Sequence, residues 1–194
     1  MMGQLLELLY DVLFHPTAAM RRVAGEKRVG QAVLVFLVSV LLPVWGLYFG
    51  LKAAGMPQTI SVVVLFQLLG SLLLWVMGAG LLHLIAEFLG GRGSARGLFA
   101  ALGFAQFPRI FIVPLWVLAA LLPEGARPLA MAASALFVLF WVLALHVAAI
   151  KGAHDLGVAK ATLVLAIPFL VAMAVMAVIV IFVSAAVMRW PLFY

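Results

Sequence analysis

The chain has 194 residues, of which 68% are hydrophobic and 9% charged, with a net charge of +6 and no cysteine. A soluble domain is about 25% charged, so this composition excludes one and predicts an all-α integral membrane protein. The missing cysteines exclude disulfides, thiolate metal sites and thiol nucleophiles, and the cations sit at helix ends rather than along a stripe, which points to anionic lipid and not to nucleic acid.

Residues 1–28 are expected to form a cytoplasmic interfacial segment ahead of a five-helix transmembrane domain over 29–194. In QLLELLYDVLF, residues 4–14, Gln4, Glu7 and Asp11 share one narrow helical stripe while leucines and Phe14 cover the rest. That pattern predicts an amphipathic helix lying in the membrane interface. His15-Pro16-Thr17 breaks it, and a second short helix carries Arg21 and Arg22 into the loop Gly25-Glu26-Lys27-Arg28. Arg21, Arg22, Lys27 and Arg28, with Arg92 and Arg96 further on, are expected to meet lipid headgroups. The acidic first residues do not resemble a signal peptide, so no processing is expected.

The spans are predicted at about 29–51, 59–89, 94–122, 128–151 and 160–188 from the apolar runs. In the first, Trp45 and Tyr48 stand where an outer aromatic belt belongs, and Gly46 and Gly50 make a GxxxG step that reads equally as close helix contact or as chance. The second is longer than a bilayer needs and carries His83 and Glu87, four residues apart, in its last turns. The third follows the glycine loop 90–93, with Ser94 as a helix N-cap. As one helix to Leu122 it would measure roughly 43 Å against a hydrocarbon core of about 30 Å. Pro108 removes a donor and disfavours helix at Phe107, so the predicted pieces are a short interfacial helix to about Gln106 and a membrane helix from Pro108, with Arg109 at its start. The fourth span carries His146 near its end, and His154 and Asp155 are expected in the loop beyond. The fifth is expected to bend at Pro168, which joins Gly103 and Pro108 as the residues marking helix breaks. The tail Arg189-Trp190-Pro191-Leu192-Phe193-Tyr194 has the content of an interfacial anchor.

With the N-terminus inside, that side holds Arg21, Arg22, Lys27, Arg28, Arg92, Arg96, Lys151 and Lys160, and the other holds Lys52, Arg127 and Arg189. This bias predicts a cytoplasmic N-terminus, an odd number of spans and an exoplasmic C-terminus.

His83, Glu87, Arg109, His146, His154 and Asp155 form the candidate polar cluster. Two histidines and a carboxylate suit a divalent metal, a proton relay or a hydrogen bond network bridging helices. No HExxH, CxxC or GxSxG motif occurs, and the loop GGRGS lacks the Lys-Ser/Thr ending of a nucleotide loop, so neither a cofactor nor enzymatic activity is expected.

From about Leu8 to Met188 the chain resembles the YIP family, the Ypt/Rab-interacting membrane proteins, in its small prokaryotic form. The resemblance rests on Leu13-Phe14-His15-Pro16, the glycine loop before a helix, Gly103-Phe104-Ala105-Gln106-Phe107-Pro108, and Trp141 and Leu145 through Lys160-Ala161 leading into an apolar last span. It implies a multi-pass membrane protein; eukaryotic members are linked to traffic between endoplasmic reticulum and Golgi and to prenylated Rab-type GTPases. The Asp-Leu-Tyr-Gly-Pro motif of those members is absent here, so GTPase binding is not carried over. The composition looks bacterial, which implies an inner-membrane location.

Two functions are expected. One is a non-enzymatic five-span protein binding membrane lipids, a protein partner or a second copy at its cytoplasmic face. The other is a small permease or lipid-moving protein, its path marked by the broken helices and Arg109.

Overall fold

The computed structural model describes residues 2–53, 55 and 57–188. The helices are α1 (Met2–Phe14), α2 (Pro16–Glu26), α3 (Val29–Ala53), α4 (Pro57–Phe88), α5 (Ala95–Ala105), α6 (Ile112–Ala120), α7 (Arg127–His154) and α8 (Val158–Met188). A 3-10 segment, Phe107–Phe111, joins α5 to α6. Five segments are long and apolar enough to cross a membrane: α3, α4, the composite α5 to α6, α7 and α8. The chain is thus an all-helical five-span bundle whose third span is broken beside Pro108. The expected anchor 189–194 lies outside the described residues.

The break falls where the sequence placed it, but the first half of the span is not at the surface. Eight residues of α5, from Gly97 through Ala105, are buried, and Leu98, Ala100, Ala101, Phe104 and Ala105 are fully enclosed. An interfacial helix needs one continuous face in water and one in lipid; beyond its exposed first turn α5 has neither, because α2, α3, α4 and α7 surround it. Its small residues explain why. A Cβ at Gly103 would meet Trp75 Cζ2 at 2.8 Å and Ala32 at 3.0 Å, and one at Gly97 would meet the Ala24 carbonyl oxygen at 2.7 Å. Gly103 therefore permits close packing inside a continuous helix and does not break it.

Above Gly103, Trp75 is stacked between Phe36 at 4.2 Å and Phe99 at 4.0 Å, both planes within 18°. Its indole N–H donates to the Phe99 carbonyl at 3.1 Å, so one side chain fastens α3, α4 and α5 together. Lower down, Phe111 lies parallel to Trp141 of α7 at 5.6 Å and holds the 3-10 segment to that helix.

His15 leaves helical geometry and Pro16 opens α2, as the sequence suggests. Leu8 and Val12 of α1 are buried in the same core as Met20 and Val23 of α2, while Leu6, Tyr10 and Phe14 are exposed on the opposite row. α2 closes one end of the bundle against α7. Gly152 lets it approach, since a Cβ there would meet the Arg21 backbone nitrogen at 2.8 Å. Lys27, with φ +49°, ends α2 and turns the chain directly into α3.

Two further expectations change. α7 runs on through His154, so this histidine occupies the last helical turn and Asp155, with φ +54°, ends the helix. The chain turns at Asp155, a residue type that tolerates the left-handed conformation. α8 stays helical through Pro168. The proline leaves the Val164 carbonyl without its usual donor but does not end the helix.

Candidate functional site

The polar residues form two separate groups. The first lies at the end of the bundle where α4 turns into α5. Gly90, with φ +89°, closes α4 in a Schellman arrangement: Gly90 N–H donates to Glu87 at 2.9 Å and Gly91 N–H to Ala86 at 2.8 Å. Lys160 Nζ donates to the Leu89 carbonyl at 2.9 Å and satisfies another acceptor of this helix end. The loop then crosses the end of α7. Arg92 N–H donates to the His154 carbonyl at 3.2 Å, and Gly93 N–H donates to His154 Nδ1 at 3.1 Å. Cβ atoms at Gly91 and Gly93 would meet His154 Nδ1 at 2.8 Å and the Ala153 carbonyl oxygen at 2.1 Å, so the glycines are required by the backbone approach.

These bonds fix the tautomers. Because His154 Nδ1 accepts from Gly93, its proton is on Nε2, which donates to His83 Nδ1 at 3.3 Å. His83 then carries its proton on Nε2, directed at Glu87 Oε1 at 3.4 Å. Gly93 N–H, His154, His83 and Glu87 make one directed hydrogen-bonded chain that joins the loop 90–93, α7 and α4. Asp155 pairs with Arg21 at 2.7 Å, linking α7 to α2 through two exposed side chains. Such a pair is worth little on its own.

The second group lies between the third span and α7. His146 Nδ1–H donates to the Val142 carbonyl at 2.8 Å, so His146 Nε2 is an acceptor and takes Gln106 Nε2–H at 3.2 Å. Gln106 Oε1 is left buried without a partner. Three residues on, Arg109 lines a cavity of about 280 Å³ with Ser39, Val40 and Pro43 of α3, Gln67 of α4, Ile112 and Trp116 of α6, and α7 from Ala135 to Val142. Glu87 is not its partner. Among the described residues no carboxylate lies within ion-pair distance of Arg109 and no acceptor takes a hydrogen bond from it. The reason is that α5 descends through the core before the chain breaks, which carries Arg109 roughly 16 Å along the bundle from Glu87's turn. An arginine at mid-span costs about 2.5 to 3.5 kcal/mol on insertion scales, so the unpaired charge needs a compensation the described residues do not supply.

The cations have different surroundings. Arg22 and Arg28 both bind Glu26, at 3.2 Å for Arg22, and the hydrogen bond from Arg28 holds the Glu26 carboxyl below its ordinary value. Lys27 and Arg96 stand at an open groove of about 610 Å³ whose wall is Val29, Val76, Ala79, Gly80, Ala95 and Phe99. Arg92 belongs to the glycine loop and makes its bond through its backbone.

Sequence reasoning missed Gln106 and the Trp75 stack. A lone glutamine within an apolar run is a signal that would have found the first; nothing in the sequence reveals which aromatic residues will stack.

Five apolar spans, the third beginning in the buried helix α5, define a multi-pass helical membrane protein with polar chains at one end and an isolated cation inside. A family model described as the Yip1 domain matches residues 10–180, and the chain belongs to that family. No curated protein and no solved structure matches the chain.

Proposed function

We propose that this Yip1-family protein is a non-enzymatic, multi-pass protein of the bacterial inner membrane that holds anionic lipid at its cytoplasmic face and serves membrane organisation. The observation that carries the reading is the groove between α3, α4 and α5. Lys27 and Arg96 supply two positive charges over a wall of Val76, Ala79, Gly80 and Phe99, which suits a phosphate with an acyl chain below it. α1, which packs against α2 and α5, turns Leu6, Tyr10 and Phe14 outward, the row an interfacial helix inserts among headgroups. On this reading residues 1–28 form the cytoplasmic surface and Arg21, Arg22, Arg28 and Arg92 add to its positive field.

The test is lipid retention. Protein purified from nanodiscs of mixed zwitterionic and anionic phospholipid should keep anionic lipid, seen by native mass spectrometry, and Lys27→Gln with Arg96→Gln should abolish that preference. Equal retention of both lipid classes by the wild-type protein would refute the reading. The orientation is tested separately: the chain has no cysteine, so Glu124→Cys should react with an impermeant maleimide from outside and Arg92→Cys should not.

A further inference from the structure

The cavity at Arg109 is a different place from the basic groove. The two share no lining residue. We propose that it is an internal binding site for an oxyanion carried on an acyl chain, a carboxylate or phosphate head drawn in from the bilayer, with Arg109 as the residue that binds the head.

Depth is the first argument. Measured along the chain, Arg109 is roughly 20 Å from the start of α5 and about 17 Å from the end of α6. Both distances exceed what a snorkelling side chain spans, so the guanidinium stays within the hydrocarbon layer. Chemistry is the second. Arg109 lines the cavity with a guanidinium that carries five N–H donors in a planar fork, and among the described residues none of them finds an acceptor. A carboxylate or phosphate matches that fork with two parallel bonds.

The remaining walls fit a head with a chain attached. Pro43 has no N–H, so the carbonyl of Ser39 loses its helical donor on the cavity side of α3; Ser39 Oγ is itself committed to the Val35 carbonyl at 2.7 Å. Gln67 brings an amide to the same space. Together these give water or the protonated part of a head polar partners next to Arg109. Val40, Ile112, Val138 and Val142 supply an apolar lining. Gln67, Trp116 and Leu139 are exposed, so the cavity opens sideways where acyl chains would lie, and no route through an aqueous loop is needed. At about 280 Å³ it holds a head and the first part of one chain, not a whole two-chain lipid.

Trp116 at the mouth gives the readout. The purified full-length protein in nonionic detergent is titrated with 9,10-dibromostearic acid, whose bromines quench indoles on contact, and with its methyl ester. The acid should quench saturably, and the saturable part should disappear in Trp116→Phe. Arg109→Gln should weaken binding about tenfold or more, the loss expected for a charge-assisted hydrogen bond, and Arg109→Lys should fall between. Excess sodium acetate or phosphate should leave the quenching in place. Displacement by either would overturn the acyl-chain part and make this a site for a free small oxyanion. Equal quenching by acid and ester, or an unchanged curve in Arg109→Gln, would overturn the site altogether. Should Arg109→Gln not fold, the comparison of acid with ester on the wild-type protein decides alone. Lipid retention through Lys27 and Arg96 is untouched by these outcomes.

Discussion

Replacing Gly93 by alanine should be among the most damaging single-methyl changes in the chain. The added Cβ would lie 2.1 Å from the Ala153 carbonyl oxygen and 2.9 Å from His154 Nδ1, whereas ordinary contact begins at 3.4 Å. The nearest atoms are the Ala153 backbone and the third is the ring of His154, which is buried and hydrogen-bonded, so nothing can swing aside and the loop or the end of α7 must move by more than 1 Å. A shift of that size breaks the Gly93 bond to His154 Nδ1, now 3.1 Å, and the Arg92 bond to the His154 carbonyl, now 3.2 Å. Overpacking costs about 1 to 3 kcal/mol and each hydrogen bond about 0.5 to 1.5 kcal/mol, so a loss of roughly 3 kcal/mol is expected. For a chain of this length that lowers the melting temperature by about 6 to 12 °C. Thermal unfolding in detergent, followed by tryptophan fluorescence, measures it. Gly125→Ala is the matched control, since nothing lies within 4 Å of the position its Cβ would take. If Gly93→Ala melts within about 1 °C of Gly125→Ala, the clamp between the glycine loop and His154 does not hold the bundle end together.

Ser94→Ala removes the hydroxyl that accepts Gly97 N–H at 3.1 Å and should cost about 1 kcal/mol, with Ser94→Asp retaining most of it; equal stability of all three proteins would show the cap to be idle. Glu26 is held below the usual carboxylate value of 4.5, chiefly by its hydrogen bond from Arg28. A depressed folded-state pKa stabilises above the unfolded value and is lost as pH falls through the folded one, so the small, salt-screened advantage of the wild type over Glu26→Gln should be constant above about pH 5 and vanish at lower pH. An advantage that persists in acid would contradict this account.

Much of the architecture was legible because it depends on local pattern. The polar stripe of Gln4, Glu7 and Asp11, the stop at Pro16 and the departure from helix at Phe107 are all consequences of residues within one or two turns of each other. The burial of α5 was not. ARGLFAALGFA carries a single charge, Arg96, and is otherwise apolar, which fits lipid or protein around it equally well, and only the partners Ala24, Ala32 and Trp75, distant in sequence, show that its glycines are contact points. The candidate site divided for the same reason. Once α5 enters the core, Arg109 travels with it away from Glu87, and Glu87 is left to His83. His154 was expected in a loop because the sequence shows its neighbours Gly152 and Gly157 but not the loop 90–93 that folds over it.

The burial of α5 also sets an order on how the protein is made. This third span is the least apolar of the five and the most enclosed, whereas α8 is the most apolar and the least enclosed. A segment of that kind gains little by leaving the translocon for bare lipid. Its neighbours α2, α3 and α4 are synthesised before it, but α7 emerges only after the far turn at 121–126 has been passed. Between those moments the face of α5 that will meet α7 has no protein against it, while Gly97 and Gly103 can already seat the helix against α2, α3 and α4. The stretch from α5 to α7 is therefore the interval in which the nascent chain is most exposed to membrane quality control, and substitutions there would reduce the amount of protein made more than the stability of the protein once folded.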